Sequence, residues 1–433
     1  MKYLKEHPLR IRLSNEAHVR PYTHLESPVR ASLLAILNKE LPLEQEHAHL
    51  AELCDRYQVR PPAEKNKHFS ENFGQFILTW ERHTEFSTYT FFRHDEEQEP
   101  FSRAVIREVP DLWLQSLGAE IIVAQHIVVR PKSSTNPDWS ELNRYFVADS
   151  IVGGKIMNNA AQAWTDFRLH QDGFSRVLVQ DYDLQENQIG RVVQELFEME
   201  SYRILALMGF PEAESVNPIL TQLDQRLTGL TRQLVSMNGF EEDQTLLKEL
   251  ASLEAEIEKV NSETAYRFGA TRAYHAIVNS RIQDLNEQET EGMQTLSNFL
   301  ERRFLPAMRT CESISDRIEQ LSRRVARASQ ILSARVNFAL EAQNRSLLHS
   351  MNRRAQYQLR LQETVEGLSI AVISYYVLAL VDFLLKAVEA AGYEINTRLI
   401  LGFCIFPVIS TVWFGVRRIR RTLLKNPDNL DEL

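Results

Sequence analysis

Apolar positions recur along this chain with three spacings, and the points where the spacing changes divide it into segments. Residues 1–70 form an arm with little regular pattern. Its HPLR (His7–Arg10) and HVRP (His18–Pro21) stretches are basic and punctuated by proline. Within the arm Pro28 opens an apolar run, VRASLLAILNKE, and Leu43 to Tyr57 has helical spacing, so one or two short helices are expected. From Phe73 to about Asp181 the pattern is that of strands. GQFILTWERHTEFSTYTFFRH reads as two β runs with a turn near His83 or Thr84, rich in the threonines and aromatics that suit a pleated surface. AVIREV (Ala104–Val109) suggests a third strand, Ala119–Arg130 and Tyr145–Ile151 two more, and Gly153-Gly154 a turn or bulge. Ala163–Leu169, a turn at Asp172-Gly173 and Phe174–Asp181 form a hairpin. Six or seven strands with few crossover-length helices predict a largely antiparallel α+β sheet over residues 71–215.

Helical spacing returns at Gln188–Met208 and stops at Gly209 and Pro211. Beyond Pro218 the spacing is heptad-like. Leu220, Leu223, Leu227, Leu230 and Leu234 answer Leu246, Leu250, Leu253, Ile257 and Val260 across the Asn238-Gly239 break, which predicts an antiparallel helical hairpin. A third helix is expected from about Ala265 to Phe304. Pro306 then opens the longest, in which Cys311, Ile314, Ile318, Leu321, Val325, Ala328 and Leu332 keep the stripe. No Pro or Gly interrupts it before Gly367, so a helix continuous to Val388 measures about 120 Å at the α-helical rise. Residues 216–362 therefore read as a hairpin and a coiled-coil stalk.

The last pattern is apolar without alternation. Gly367 to Val381 carries no charge, and the run extends through Asp382 and Lys386 to Val388. That is about 22 residues, or roughly 33 Å of helix, enough to cross a hydrocarbon core. Leu399–Val416 is a second such run, so residues 363–418 predict a two-helix transmembrane hairpin with a tail at 419–433. Arg353, Arg354 and Arg360 precede the pair, and Arg417, Arg418, Arg420, Arg421 and Lys425 follow it. The positive-inside rule then places both termini in the cytoplasm and the short loop outside. The N-terminus has basic residues but no apolar core, so no secretory signal is expected.

Composition changes this picture little. A formal net charge of −9 on 433 residues gives no expectation of nucleic-acid binding. The three cysteines, Cys54, Cys311 and Cys404, have no paired spacing, which suits a reducing compartment and excludes a cysteine zinc motif. One local bias stands out: between Arg302 and Arg360 lie twelve arginines and no lysine. Arginine binds carboxylates bidentately, so these side chains are expected to pair with acidic helices of the same chain, such as Glu241–Glu263.

Candidate chemistry is sparse. Glu81, His83 and Glu85 stand at i, i+2 and i+4; on one extended strand they would share a face and offer a carboxylate–imidazole set to a divalent cation. Asp166, Arg168 and His170 alternate likewise and mark a candidate ligand pocket or a salt-bridged rim. If the two faces coincide, Glu, His, Asp and Arg come together on one sheet. In the first span Thr364, Gly367, Ala371, Ser374 and Asp382 follow a stripe that reads either as close helix packing or as the lining of a pore in an oligomer. Gly153-Gly154-Lys155 lacks the frame of a Walker loop, Asp172-Gly173-Phe174-Ser175 is no nucleophile elbow, and no HExxH occurs. No catalytic residue or organic cofactor is assigned, and an enzyme is the least supported class.

Five stretches together resemble a known family: WERHTEF (80–86), TDFRLHQDGFSR (165–176), GRVVQELFEMESYR (190–203), RRFLPAMRTC (302–311) and LRLQETVEGLSIAVISYY (359–376). It is a family of uncharacterised bacterial membrane-anchored proteins with a domain of unknown function. The resemblance implies a multi-pass protein of the bacterial cytoplasmic (inner) membrane and supplies no activity. A looser, architectural resemblance is to the CorA-type magnesium channels, which join a cytoplasmic α/β domain to a long stalk helix and two C-terminal spans. It implies a homo-oligomer formed through the stalk and the first span. Where those channels carry Gly-Met-Asn this chain reads AAGYEIN (390–396), so altered selectivity is implied. The resulting expectation is a membrane-anchored structural or sensory module, with an oligomeric cation channel as the alternative.

Overall fold

The computed structural model describes residues 7–10, 23–95, 99–236, 239–390 and 396–425. The HVRP stretch, most of the loop between the two apolar runs and the end of the tail lie outside these residues. The described chain divides into two compact units, residues 1–237 with 245–330, and residues 238–244 with 331–433.

The first unit is built on an eight-stranded sheet. Its strands are β1 (Val29–Leu37), β2 (His68–Asn72), β3 (Ile77–Arg82), β4 (Phe86–Arg93), β5 (Ile121–Arg130), β6 (Val152–Ile156), β7 (Ala161–Thr165) and β8 (Ser175–Asp181). Their order across the sheet is β2-β3-β4-β1-β5-β8-β7-β6, antiparallel throughout except for the parallel pair β5–β8. The sheet expected from the sequence as α+β is present and mostly antiparallel, but it also takes in β1 and β2 from the arm, ahead of residue 73, and differs in several further details.

The apolar run after Pro28 is not a helix but strand β1, at the centre of the sheet. A central strand is covered on both faces, so VRASLLAIL loses the alternation that would have betrayed it. AVIREV is a 3-10 turn, Val105–Glu108, whose Val105 and Val109 are both buried at a helical interval of four. Tyr145 ends a short helix, and a 3-10 turn follows at Ala148–Ser150. Gly153 and Gly154 form no turn; they lie within β6. A Cβ on Gly153 would run into the Ala163 carbonyl, and one on Gly154 would sit 2.7 Å from Glu287 Oε1.

Helices cover both faces. On one side α1 (Leu43–Tyr57) and the short α2 (Asp111–Gln115) bury Trp80, Tyr89, Phe91 and Trp113. Beyond them α3 (Trp139–Tyr145) covers Trp164 and Leu178. On the other side α4 (Glu186–Leu207) lays Ile189, Val192, Val193 and Leu196 over β1 and β5, and this cluster holds the main core.

Three long helices follow: α5 (Gly209–Ser236), α6 (Phe240–Leu285) and, after a short α7 (Leu296–Arg303), α8 (Leu305–Ala390). Their heptad leucines are buried as the spacing predicts, including Leu223, Leu227, Leu253, Ile257, Ile318 and Leu321. The third helix expected from Ala265 is instead the continuation of α6. It stops at Leu285, where Asn286 takes a left-handed φ of 46°, and the polar 286–295 segment bridges to the β6 edge through Lys155 and Gln288. Arginines tie α8 back to the bundle. Arg324 pairs with Asp224, and Arg317 reaches Asn217 and Thr221 on α5. Each such exposed tie contributes about 1 kcal/mol or less.

In the second unit Arg335 binds the buried Asp243 at 2.9 Å, at the acidic start of α6. Leu332 and Val336 are the last apolar residues of α8 buried in the bundle manner. From Phe338 onward the large apolar side chains are exposed: Leu347, Met351, Tyr357 and Leu361 each show more than half of their surface. The same helix carries the first apolar run. The last helix, α9 (Thr397–Lys425), carries the second, and each run contains an 18-residue window of mean hydropathy 2.2. Two helices are thus long and apolar enough to cross a membrane.

Candidate functional site

Between the β3–β4 end of the sheet and α4 lies a cavity of about 60 Å³ open to the centres of water molecules. Its origin is legible in the strand faces. On β3 the inward residues after Ile77 are Thr79 and Glu81; on β4 Thr88 and Thr90 lie opposite Glu81 and Thr79 between Phe86 and Phe92. Three threonines and a glutamate thus occupy positions where the neighbouring β1 presents Ala31, Leu33 and Ala35. α4 answers with a polar stripe of its own. Gln194, Glu198 and Ser201 follow Gly190 at intervals of three and four, next to the apolar stripe over β1. Gly190 itself permits a close approach, because a Cβ there would collide with the Thr23 carbonyl oxygen, and Thr23 also lines the cavity.

Hydrogen bonding around the cavity is uneven. Thr79 Oγ1 lies 2.9 Å from Ser70 Oγ and 3.4 Å from Thr23 Oγ1. Glu198 accepts from Gln194 Nε2 at 2.8 Å and from Arg281 Nε of α6 at 2.5 Å. Ser201 is 2% exposed, and its Oγ has no hydrogen-bond partner among the described residues. A buried hydroxyl left so loses roughly 1–3 kcal/mol relative to a satisfied one, which makes its position facing a cavity informative.

The sequence-derived candidates fall into this frame unequally. Glu81 and His83 both line the cavity. Glu81 stands 3.7 Å from His83 Nε2 through one oxygen and 3.7 Å from His68 Nε2 of β2 through the other. The His83 ring stacks on Phe86 with centroids 4.3 Å apart. Glu85 does not join them. The turn between β3 and β4 falls at residues 83–85, the i, i+2, i+4 face is broken there, and Glu85 is instead held by Arg267 of α6 at 2.9 and 3.1 Å. Its neighbour Tyr274 has its phenol pKa raised, by burial first and then by Glu85. Among the described residues no group of three or more His, Cys, Asp or Glu side chains is placed to hold a metal ion. The divalent-cation set Glu81, His83, Glu85 is therefore corrected to a pair, with His68 as the third neighbour that spacing alone did not suggest.

Asp166, Arg168 and His170 do come together, as a closed loop. Asp166 is buried and accepts from the backbone N–H groups of Val147 and Arg168, while His170 Nε2 lies 3.1 Å away and Arg168 Nε donates to Ser150 Oγ at 2.9 Å. The Arg168 side chain is thus turned to Ser150 and not to Asp166, and the trio's one acid–base contact is that of Asp166 with His170. The trio follows β7, which four intervening strands separate from β3. At the usual strand spacing that is more than about 20 Å, so the two polar faces do not coincide.

A third cluster escaped sequence reasoning. His126 of β5 places Nδ1 2.8 Å from Ser32 Oγ and Nε2 4.0 Å from Asp172 Oδ2, with its ring stacked on Phe174 at 3.9 Å. Burial lowers the imidazole pKa to about 3, so it is neutral. Burial alone would raise the Asp172 carboxyl, but the Phe174 N–H and Arg176 outweigh it and lower it. Despite its Ser, His and Asp, this cluster has no exposed nucleophile: Ser32 is fully buried mid-strand. Ser32 and His126 pair in register across β1 and β5, while Asp172 and Phe174 come from the loop before β8, a juxtaposition that no sequence spacing reveals.

In the first apolar run Thr364, Gly367 and Ala371 are exposed, whereas Ser374 is buried and its hydroxyl lacks a partner among the described residues. Asp382 is paired with Lys386 at 2.8 Å, one turn along.

These features define a class: a mixed α/β sheet unit with a cavity lined by hydroxyls, carboxylates and aromatic rings, followed by long helices and two apolar helices. Within that class the chain belongs to the family described as proteins of unknown function, DUF3422, whose model matches residues 5–423. No curated protein matches it.

Proposed function

We propose that this protein is a membrane-anchored sensory module of the bacterial cytoplasmic membrane, without catalytic activity, whose sheet unit takes a small ligand. The observation that carries the anchoring is the exposure of the two apolar helices. Phe383, Phe403 and Phe406 show 74%, 81% and 81% of their surfaces, a density of bare aromatic and aliphatic groups that water tolerates poorly and a bilayer accepts. The arginines before the first and after the second apolar helix support a multi-pass arrangement with both termini cytoplasmic. The cavity beside α4, with its unpartnered hydroxyl, supports sensing over a purely structural role. The exposed apolar residues of α8 beyond Phe338, among them Leu340, Leu347 and Leu361 at multiples of seven residues, support association with further copies of the same chain.

The test is membrane retention. The full chain should stay in the membrane pellet through a carbonate wash, and a version ending at residue 362 should be released. Release of the full chain by carbonate would remove the anchor from this reading.

A further inference from the structure

We infer that the cavity between β3, β4 and α4 binds a small, neutral, hydroxylated molecule of roughly the size of a three-carbon polyol. This inference rests on the reading of the sheet unit as a sensor and names the ligand class of its site. Three features of the lining carry it, namely unspent hydroxyls, compensated charge and size.

The hydroxyls come first. Thr88 and Thr90 make no side-chain hydrogen bond among the described residues, and Ser201 Oγ is buried without one. Two of them stand on a strand and one on the helix facing it, so they address the same space from opposite walls. A hydroxyl both donates and accepts. Its best partner does the same, which favours an alcohol over an ammonium that only donates or a carboxylate that only accepts.

Charge comes second. The carboxylates at the cavity already have counterparts. Glu198 is held by Arg281 and Gln194, and Glu81 lies between His68 and His83. An ionic ligand would have to compete with these pairs, whereas a neutral one fits between them. Phe86, Phe92 and Phe197 complete the lining with apolar surface for the carbon skeleton.

Size comes third. A single water needs about 10–15 Å³ of such space, so the 60 Å³ observed holds about four to six water-sized groups. A polyol of that size displaces ordered waters while reproducing their hydrogen bonds, the condition under which displacement does not cost affinity.

The experiment uses the full chain in detergent micelles, with titration calorimetry against glycerol, ethylammonium chloride and magnesium chloride in turn. Glycerol is expected to bind saturably at one site per chain. Thr88→Val and Ser201→Ala should each weaken it at least five-fold while leaving the melting temperature and helix content near wild type. Glu81→Gln, which keeps the shape and removes the charge, should change glycerol binding less than three-fold. Saturable ethylammonium binding that Glu81→Gln abolishes, with no response to glycerol, would overturn the ligand class and leave the sensor reading standing. Magnesium binding without glycerol binding would do the same in favour of an ion. If none of the three saturates, the cavity holds water alone and both the ligand class and the sensor reading fall. Glycerol binding untouched by Thr88→Val and Ser201→Ala would place it elsewhere and overturn the assignment of this cavity.

Discussion

His126 shows how a single buried side chain couples this fold to pH. In the folded chain its pKa is about 3, pushed down by burial against a neighbouring Asp172 that only partly offsets it; unfolded, it returns to about 6.5. The unfolded state therefore takes up a proton first as pH falls. The contribution of this group to stability is complete above about pH 6.5 and is lost progressively toward pH 3, at up to about 1.4 kcal/mol per pH unit. Chemical denaturation at pH 7.5 and pH 5 should show the wild type losing stability over that interval and His126→Gln losing less of it. Equal losses in the two proteins would mean that His126 does not titrate in this way. Gly190 makes a different kind of demand. Its α-carbon faces the Thr23 backbone carbonyl, which cannot swing aside like a side chain. Gly190→Ala should cost about 1–3 kcal/mol by overpacking, read as a lower melting temperature, and an unchanged melt would show that residue 23 yields freely. The two residues also mark what the sequence could and could not disclose. Glu81 and His83 were legible as neighbours because a strand puts i and i+2 on one face. Glu85 was misplaced because β3 ends at Arg82 and the chain turns at residues 83–85. Ser201 was invisible, since a lone serine on an apolar helix reads as filler until the opposite wall is known to be threonine.

At the scale of the element, legibility followed the regularity of burial. Helices α5 and α6 and the bundled part of α8 each bury one stripe, so their heptads showed in the sequence and the structure fills the same positions. Strand β1 buries both faces and so erased its own period. The 286–295 segment has few apolar residues at all, and its bridge to β6 depends on a partner far away in sequence. The exposed stretch of α8 is the exception that makes a prediction. Leu340, Leu347 and Leu361 fall on a seven-residue repeat of their own that Arg354 interrupts, one residue out of register with the buried stripe, and nothing described covers them. If copies of the chain pair along this stripe, changing Leu347 and Leu361 together to Ser should lower the mass measured by light scattering in detergent. Helix content should hold, since exposed Leu→Ser costs only a few tenths of a kcal/mol in propensity at each site. Identical masses for the two proteins would leave the stripe without a role in assembly.

For the whole molecule the question that follows from the proposed anchor is whether the two apolar helices would also enclose a path for ions. The deciding residue is Asp382. A carboxylate in a transmembrane helix costs about 2.5–3.5 kcal/mol at the bilayer centre and less toward the interface. Such a residue persists when it faces water in a shared pore or when a cation neutralises it locally. Lys386, at 2.8 Å and one helical turn on, supplies the second condition within the same helix. The other members of the stripe add little polar lining: Gly367 and Ala371 offer no side-chain oxygen, the Thr364 hydroxyl donates to the Arg360 carbonyl one turn back, and Ser374 is the buried one of the set. An anchor therefore accounts for Asp382 without any assembly, whereas a channel needs both an oligomer and a reason for the charge to leave its partner. Reconstituted liposomes should show no cation flux from wild type and none from Asp382→Asn, whose stranded Lys386 reaches the interface by extending its side chain. A wild-type cation current that Asp382→Asn reduces would instead mean that the carboxylates form a ring at a pore mouth, and the channel would replace the anchor as the account of these helices.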